Sequence, residues 1–312
     1  MKLLFGILDG ASSTKSMASG LKIFKNVGIN SITTVYPSVT YAAHTSIITG
    51  ELPSVHKVLA NRFIARGDFT DFDSTDINRF VETPTLFEKY RGSCAAIGIP
   101  LYRGAKTVIT MKEVLNKPMF ERNKYVAEQA RSFIENHDIV VANFLQVDTC
   151  GETFGPESKE YLSAIDEALH LISEIIHDYK CHYIITADHG MTSVNKRIPI
   201  DDIAKSNYGV AISSHRFVVF YKTGSWMKQL PVKIITDKTR LEKMGFPLEH
   251  VGMGVGFADG PVEFMCDGLK GSHGGDTPEE MVVPFITDLL PLANMVQQVN
   301  EISRFLLSIY LK

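Results

Sequence analysis

Over the first 190 residues, apolar runs of strand length alternate with longer stretches of helical period. Residues 2–8 are apolar apart from Lys2 and stop at Asp9-Gly10, which reads as a buried strand followed by a loop. A helix is predicted over 15–27, a strand over 32–36, and a short helix over 40–50 with Thr40 at its start and Gly50 at its end. Residues 64–84 are rich in Asp and Thr, with Gly67 among them, and predict surface. Residues 85–90 begin a helix, 95–100 read as a strand and turn, and 119–136 as a helix of alternating charge. The run 139–147 predicts a central strand ending at Asp148, and 182–187 another ending at Asp188-His189. Between them, Tyr161, Leu162, Ile165, Ala168, Leu169, Ile172, Ile175 and Ile176 fall on one face of a long helix over 157–179.

This alternation predicts an α/β fold with a parallel sheet and helices on both faces. Residues 192–270 depart from it, with short β-like runs at 216–221 and 232–236 and the single tryptophan, Trp226. They read as extra strands plus a small α+β insertion near the site, within one domain spanning 1–312. A closing helix is expected over 301–311.

Composition narrows the function. Hydrophobic content of 45% is ample for a large core, and the formal net charge of −3 includes no block of like charges. A nucleic-acid polymer or an acidic membrane is therefore not the expected partner. No run of about 18 apolar residues is present to span a bilayer. The apolar N-terminus is too short for a signal peptide and has no small-residue cleavage site, so a cytoplasmic location is expected. The four cysteines, Cys94, Cys150, Cys181 and Cys266, form no CxxC pair and fit free thiols in a reducing compartment. The oligomeric state is left open.

The chemistry lies at the strand ends. Asp9, Asp148 and Asp188-His189 each follow a predicted strand, and His273 sits in the glycine-rich Gly271-Ser272-His273-Gly274-Gly275. A parallel sheet brings its carboxyl ends to one edge, where ligands bind. Mixed Asp and His donors suit Zn²⁺ or Mn²⁺. Thr40 has two readings: a helix cap, or a hydroxyl poised where backbone N–H groups and the helix dipole favour an anion. His44, one turn further, could touch substrate or pack on a neighbouring strand. Arg216 could hold a phosphate or flank the sheet. Cys150 could offer a thiolate or be a small packing residue.

Taken in order, these residues resemble the alkaline phosphatase superfamily. The resemblance rests on Asp9 after its strand, Thr40 ten residues before Gly50, Pro53-x-x-His56, Asn61, Asp148-x-x-Gly151-x-x-x-Gly155-Pro156, 187–191 (Ala-Asp-His-Gly-Met) and 271–275. Within it the chain is most similar to the type I phosphodiesterase / nucleotide pyrophosphatase branch, with phosphonoacetate hydrolases also similar. The matching stretches are about 1–60, 140–191 and 268–290.

The resemblance implies an alkaline-phosphatase-like, parallel-rich sheet and a metal-dependent hydrolase of phosphodiester or pyrophosphate bonds. Its substrate would be a small phosphoester, a nucleotide among the candidates. Thr40 would be the nucleophile, forming a phosphothreonine, and Asn61 would bind a non-bridging oxygen together with N–H groups at the start of the Thr40 helix. One divalent ion would be held by Asp9, Thr40, Asp188 and His189, and a second by Asp148, His273 and residue 152. The family pattern Asp-x-x-Gly-His has histidine at this last position, but this chain has Glu152. Zinc is the expected metal, and Glu152, a harder donor, opens the site to Mn²⁺ or Mg²⁺. Phe63, His44, Phe154 and Arg216 are the candidate substrate contacts. The alternatives are a C–P hydrolase of the phosphonoacetate type, a phosphomonoesterase, a phosphomutase, or a metal-binding homologue without turnover.

Overall fold

The computed structural model describes residues 2–265 and 268–309. Cys266 and the end of the closing helix lie outside this range. Eleven strands carry the architecture: β1 Leu3–Ile7, β2 Gly28–Thr33, β3 Cys94–Ile97, β4 Thr107–Ile109, β5 Ile139–Asn143, β6 His182–Thr186, β7 Val210–Ser214, β8 Phe217–Lys222, β9 Val232–Ile235, β10 Gly254–Ala258 and β11 Val282–Thr287. The longer helices are α1 Ser13–Ile23, α2 Thr40–Thr49, α3 Arg122–Ile134, α4 Gln146–Phe154, α5 Lys159–Tyr179 and α6 Val299–Ile309.

The main sheet has the order β2-β11-β6-β1-β5-β3-β4. β1 lies at its centre, parallel to β5 and β6, and its five residues are all buried. β11 runs antiparallel to both β6 and β2, so the sheet is parallel except for this strand. Helices α1, α3 and α5 pack together, as do α2 and α6. The α/β class, with a mostly parallel sheet, helices on both faces and smaller sheets beside it, is the fold observed. Residues 192–270 contain a four-stranded antiparallel sheet of order β7-β8-β10-β9. Trp226, Phe220, Ile200 and Phe264 form a second, smaller core there.

Two strands end earlier than the sequence pattern predicts. β2 covers Gly28–Thr33, not 32–36, because register with β11 pairs Gly28 with Thr287 and Thr33 with Val282. Val35 is buried within the loop that follows, so its burial carries no strand signal. β5 ends at Asn143, and the apolar residues after it enter α4. A continuous apolar run has no period of its own and cannot mark where a strand gives way to a buried helix. The consequence is chemical: Asp148 and Glu152 stand one turn apart on α4 and share a helix face.

The first helix also ends early, covering Ser13–Ile23 and not 15–27, while the other boundaries agree more closely. Thr85 caps the helix Leu86–Lys89 through a reciprocal box with Glu88, and α5 begins after a Ser158 cap.

Gly190, directly after His189, is required by close backbone approach. Its N–H donates to Glu280 O at 2.8 Å, and a Cβ placed there would stand 1.9 Å from Glu279 O. Backbone on both sides cannot yield as a side chain can. Gly190→Ala is therefore expected to destabilise the protein by about 2–3 kcal/mol, as overpacking does. Urea unfolding of the variant beside wild type measures it.

Candidate metal centre

Three parallel strands deliver their carboxyl ends to one place. β1 leads into Asp9, β6 into Asp188 and His189, and β5 into Asn143 and then α4 with Asp148 and Glu152. The first turn of α2 brings Thr40 and His44, and the loop after 271 brings His273. Gly10 allows Asp148 a close approach: its φ of 70° is left-handed, and a Cβ there would lie 2.6 Å from Asp148 Oδ1.

Asp9, Asp188 and His189 each offer a donor atom within 4.8 Å of the others. His189 Nε2 lies 3.2 Å from Asp188 Oδ2, 3.8 Å from Asp9 Oδ1 and 3.2 Å from the Thr40 hydroxyl. Val39 holds the N-cap of α2, so the Thr40 hydroxyl is the first side chain of the helix and not its cap. A second group joins Asp148, His189 and His273, and a third joins Glu152, His215 and His273, with donors again within 4.8 Å. The His189 and His273 rings stack 3.7 Å apart.

The imidazoles are oriented as ligands are. His189 Nδ1 faces Gly190 O at 3.0 Å, and His273 Nδ1 faces Ser38 O at 3.1 Å. Each Nδ1 then carries the proton, and each Nε2 lone pair is turned toward the acids.

Acidic groups are concentrated in this pocket. The ion pairs of Asp9 and Asp188 are with His44 and His189, and those of Glu152 with His215 and His273. Burial, then the charge of Asp9, pushes the Asp188 carboxyl up to about 8. Burial with the charges of Glu152, Asp9 and Asp188 holds Asp148 well above the usual range, and burial raises Glu152. Burial would raise Asp9 too, but the neighbouring His44 and His189 and the Asn143 hydrogen bond outweigh this and leave it lowered. Burial also depresses His189 and, more strongly, His273. Buried oxygens Asp9 Oδ1, Asp148 Oδ1 and Asp188 Oδ2 have no hydrogen-bond partner among the described residues. Unpartnered buried carboxylate oxygens beside neutral imidazoles are what divalent cations satisfy, and the residues fit such ions.

A family model, type I phosphodiesterase / nucleotide pyrophosphatase, matches residues 8–240. The chain belongs to this family. An uncharacterized pyrophosphatase/phosphodiesterase of Schizosaccharomyces pombe is 26% identical over 223 residues, 62% of this chain and 44% of that protein. A GPI ethanolamine phosphate transferase 1 of Emericella nidulans is 31% identical over 83 residues, 24% of this chain and 9% of that protein. The chain thus spans less than half the length of these relatives. Among solved structures, murine ectonucleotide pyrophosphatase / phosphodiesterase 5, in an inactive form with AMP, superposes with a TM-score of 0.79 at 16% identity, covering 99% of this chain and 94% of that one. Phosphonoacetate hydrolase from Sinorhizobium meliloti, in complex with phosphonoformate, gives 0.77 at 15% identity, covering 98% and 94%. At these identities the likeness is one of fold.

In this member of the type I phosphodiesterase family, the remaining predicted residues divide. His44 is fully buried in the pocket, its Nε2 3.7 Å from Asp9 Oδ2 and 3.5 Å from Asp188 Oδ2. Asn61 Oδ1 accepts from Tyr41 N–H at 3.3 Å, which occupies one N–H of the helix start and leaves the Asn61 NH₂ as donor. Phe63 is in the core, against Phe72, Phe80 and His250, and is not a surface for substrate. Phe154 is half-buried and stacks on Phe120. The buried Arg216 guanidinium donates to Glu280 Oε1 at 3.0 Å, Gly260 O at 3.0 Å and Val262 O at 2.6 Å, so it is spent inside the protein. Cys150 is buried, and burial pushes its thiol up to about 11, which fits packing better than ligation.

Two residues were given no role by the sequence. Asn143 donates to Asp9 Oδ2 at 2.7 Å, and the signal was there: a lone amide closing the apolar run of β5. His215 lies in a turn and gave no signal. Beside the helix start, a cleft of about 550 Å³ is lined by Tyr41, Phe72, Ile99, Pro100, Tyr102 and Leu115, among others. A larger one of about 750 Å³, around Trp226, contains none of the residues gathered above.

The raised acids set a pH dependence for the metal-free protein. A carboxyl whose folded pKa lies above its unfolded one loses stability as pH rises between the two. The depressed histidines act oppositely, but only below their unfolded value of 6.5. From 6.5 to about 8 the acids act alone. Chelated protein should therefore melt at falling temperature across that interval, and added divalent ion should flatten or reverse the slope. Melting curves with and without chelator test this.

Proposed function

We propose that this protein hydrolyses phosphodiester or pyrophosphate bonds of small substrates, nucleotides among them, with Thr40 as nucleophile and two divalent ions. The observation that carries the reading is the Thr40 hydroxyl, 3.2 Å from His189 Nε2 at the N-terminus of α2, beside the unpartnered oxygens of Asp9 and Asp188. Family membership and the fold shared with an AMP-bound phosphodiesterase structure support it.

Asp9, Asp188 and His189 would hold one ion together with Thr40, and Asp148, Glu152 and His273 the other. Bound there, such ions lower the pKa of a hydroxyl and neutralise charge on phosphoryl oxygens. Thr40 Oγ1 then attacks phosphorus as the bond to the leaving oxygen breaks, giving a phosphothreonine that water hydrolyses. The Asn61 NH₂ donates to a non-bridging oxygen, a contact that gains strength as charge develops there. Asn143 fixes the Asp9 carboxylate through its 2.7 Å hydrogen bond.

A diester is favoured over a monoester on two grounds. The cleft beside Tyr41, the residue after the nucleophile, offers aromatic and aliphatic walls, alongside polar ones such as Asp73, Asp76 and Lys112, for a second ester group. Among the described residues the ion pairs of the pocket acids are with histidines and not with lysine or arginine, a charge balance that suits a diester monoanion better than a monoester dianion.

Steady-state hydrolysis of a nitrophenyl phosphodiester and a nitrophenyl phosphomonoester, after chelation and with Zn²⁺, Mn²⁺ or Mg²⁺ restored, tests the reading. The diester should turn over faster. Thr40→Ala should lose at least ~10³-fold in kcat, as removal of a nucleophile does. Asn61→Ala should lose roughly 10²-fold in kcat with a smaller change in KM. A faster monoester would overturn the diesterase reading.

A further inference from the structure

His215 opens the two-residue turn between β7 and β8, and its side chain faces the pocket. Its Nδ1 is buried with no hydrogen-bond partner among the described residues. It lies 3.7 Å from Glu152 Oε1, too far to share a proton with it. The His215 ring sits 4.2 Å from that of His273, whose Nε2 is 3.9 Å from the same Glu152 oxygen. Glu152, His215 and His273 thus converge one donor atom each, within 4.8 Å, with no hydrogen bond among them. With Nδ1 turned to Ser38 O, His273 presents a lone pair.

The turn is held in place to do this. His215 has a φ of 55°, in the left-handed region where glycine is the low-cost residue. Arg216 N–H donates to His273 O at 2.9 Å, and Phe264 N–H donates to His215 O at 3.1 Å. The buried Arg216 guanidinium, bound to Glu280, anchors the same turn. The hairpin and the His273 loop are therefore one unit, and moving one imidazole moves the other.

We propose that His215 is a nitrogen ligand of the second divalent ion, shared with Glu152 and His273; this rests on the two-ion reading above. Asp148, which groups with His189 and His273, stands between the two sites. Two imidazoles and a carboxylate are a borderline donor set that suits zinc better than magnesium. Glu152 then does not turn the site into one for a hard ion, because a nitrogen donor arrives from a different part of the chain.

The test is titration of the chelated full-length protein with Co²⁺, followed by visible absorption and calorimetry. Wild type should bind two ions per chain. His215→Gly keeps a residue native to the left-handed turn. It should leave the first ion unchanged and weaken the second by more than ~100-fold, above the usual cost of losing an outer-shell partner. Adding Glu152→His to that variant should restore the second ion, a rescue that a purely structural histidine would not show. If His215→Gly binds both ions as wild type does, the proposal fails while the two-ion reading stands. If wild type binds only one ion, both fail. Zinc-edge X-ray absorption of wild type needs no variant: three imidazoles per two zinc ions support the proposal, and two overturn it.

Discussion

Four carboxylates, Asp9, Asp148, Glu152 and Asp188, meet in one pocket, and the ion pairs they make among the described residues are with imidazoles. Buried like charges repel, and desolvation adds to the cost. The metal-free pocket answers by holding protons: Asp148, Glu152 and Asp188 are all raised. A divalent cation would do the same work more effectively, since it would satisfy oxygens such as Asp9 Oδ1 and Asp188 Oδ2 that accept no hydrogen bond among the described residues.

The sheet makes this crowding possible. β1, β5 and β6 are adjacent and parallel, so their carboxyl ends deliver Asp9, Asn143 and Asp188 side by side. Each position is then fixed by a local constraint. Gly10 admits Asp148, Gly190 admits the Glu279–Glu280 backbone, and the carbonyls of Gly190 and Ser38 orient His189 and His273. Rigid placement matters because an imidazole turned by one rotamer would present N–H in place of a lone pair.

The four-stranded sheet contributes through one turn. It carries its own small core, yet Arg216 N–H bonds to His273 O and its guanidinium to Glu280. Arg216 serves as this fastening, which explains why a full positive charge can be buried so near the pocket without serving a substrate phosphate. Tyr41, which lines the cleft, follows Thr40 directly on α2, so the Thr40 hydroxyl and one wall of the cleft are carried by the same helix.

The sequence by itself determined the α/β class and the identities of Asp9, Thr40, Asp188, His189 and His273 as the group to watch. Strand ends can be read from apolar runs that stop at an acid, and glycine-flanked histidines stand out in linear order. It could not place the end of β5, because a buried strand and a buried helix share the same unbroken apolar pattern; Asp148 and Glu152 thus became helix neighbours only in the folded chain. It could not tell that Phe63 is core or that Arg216 is spent on Glu280, since burial depends on partners distant in sequence. Nor could it show His215 beside Glu152, 63 residues away along the chain. Local chemistry is written in residue type and spacing, but convergence between elements is decided by packing, and only tertiary structure supplies that.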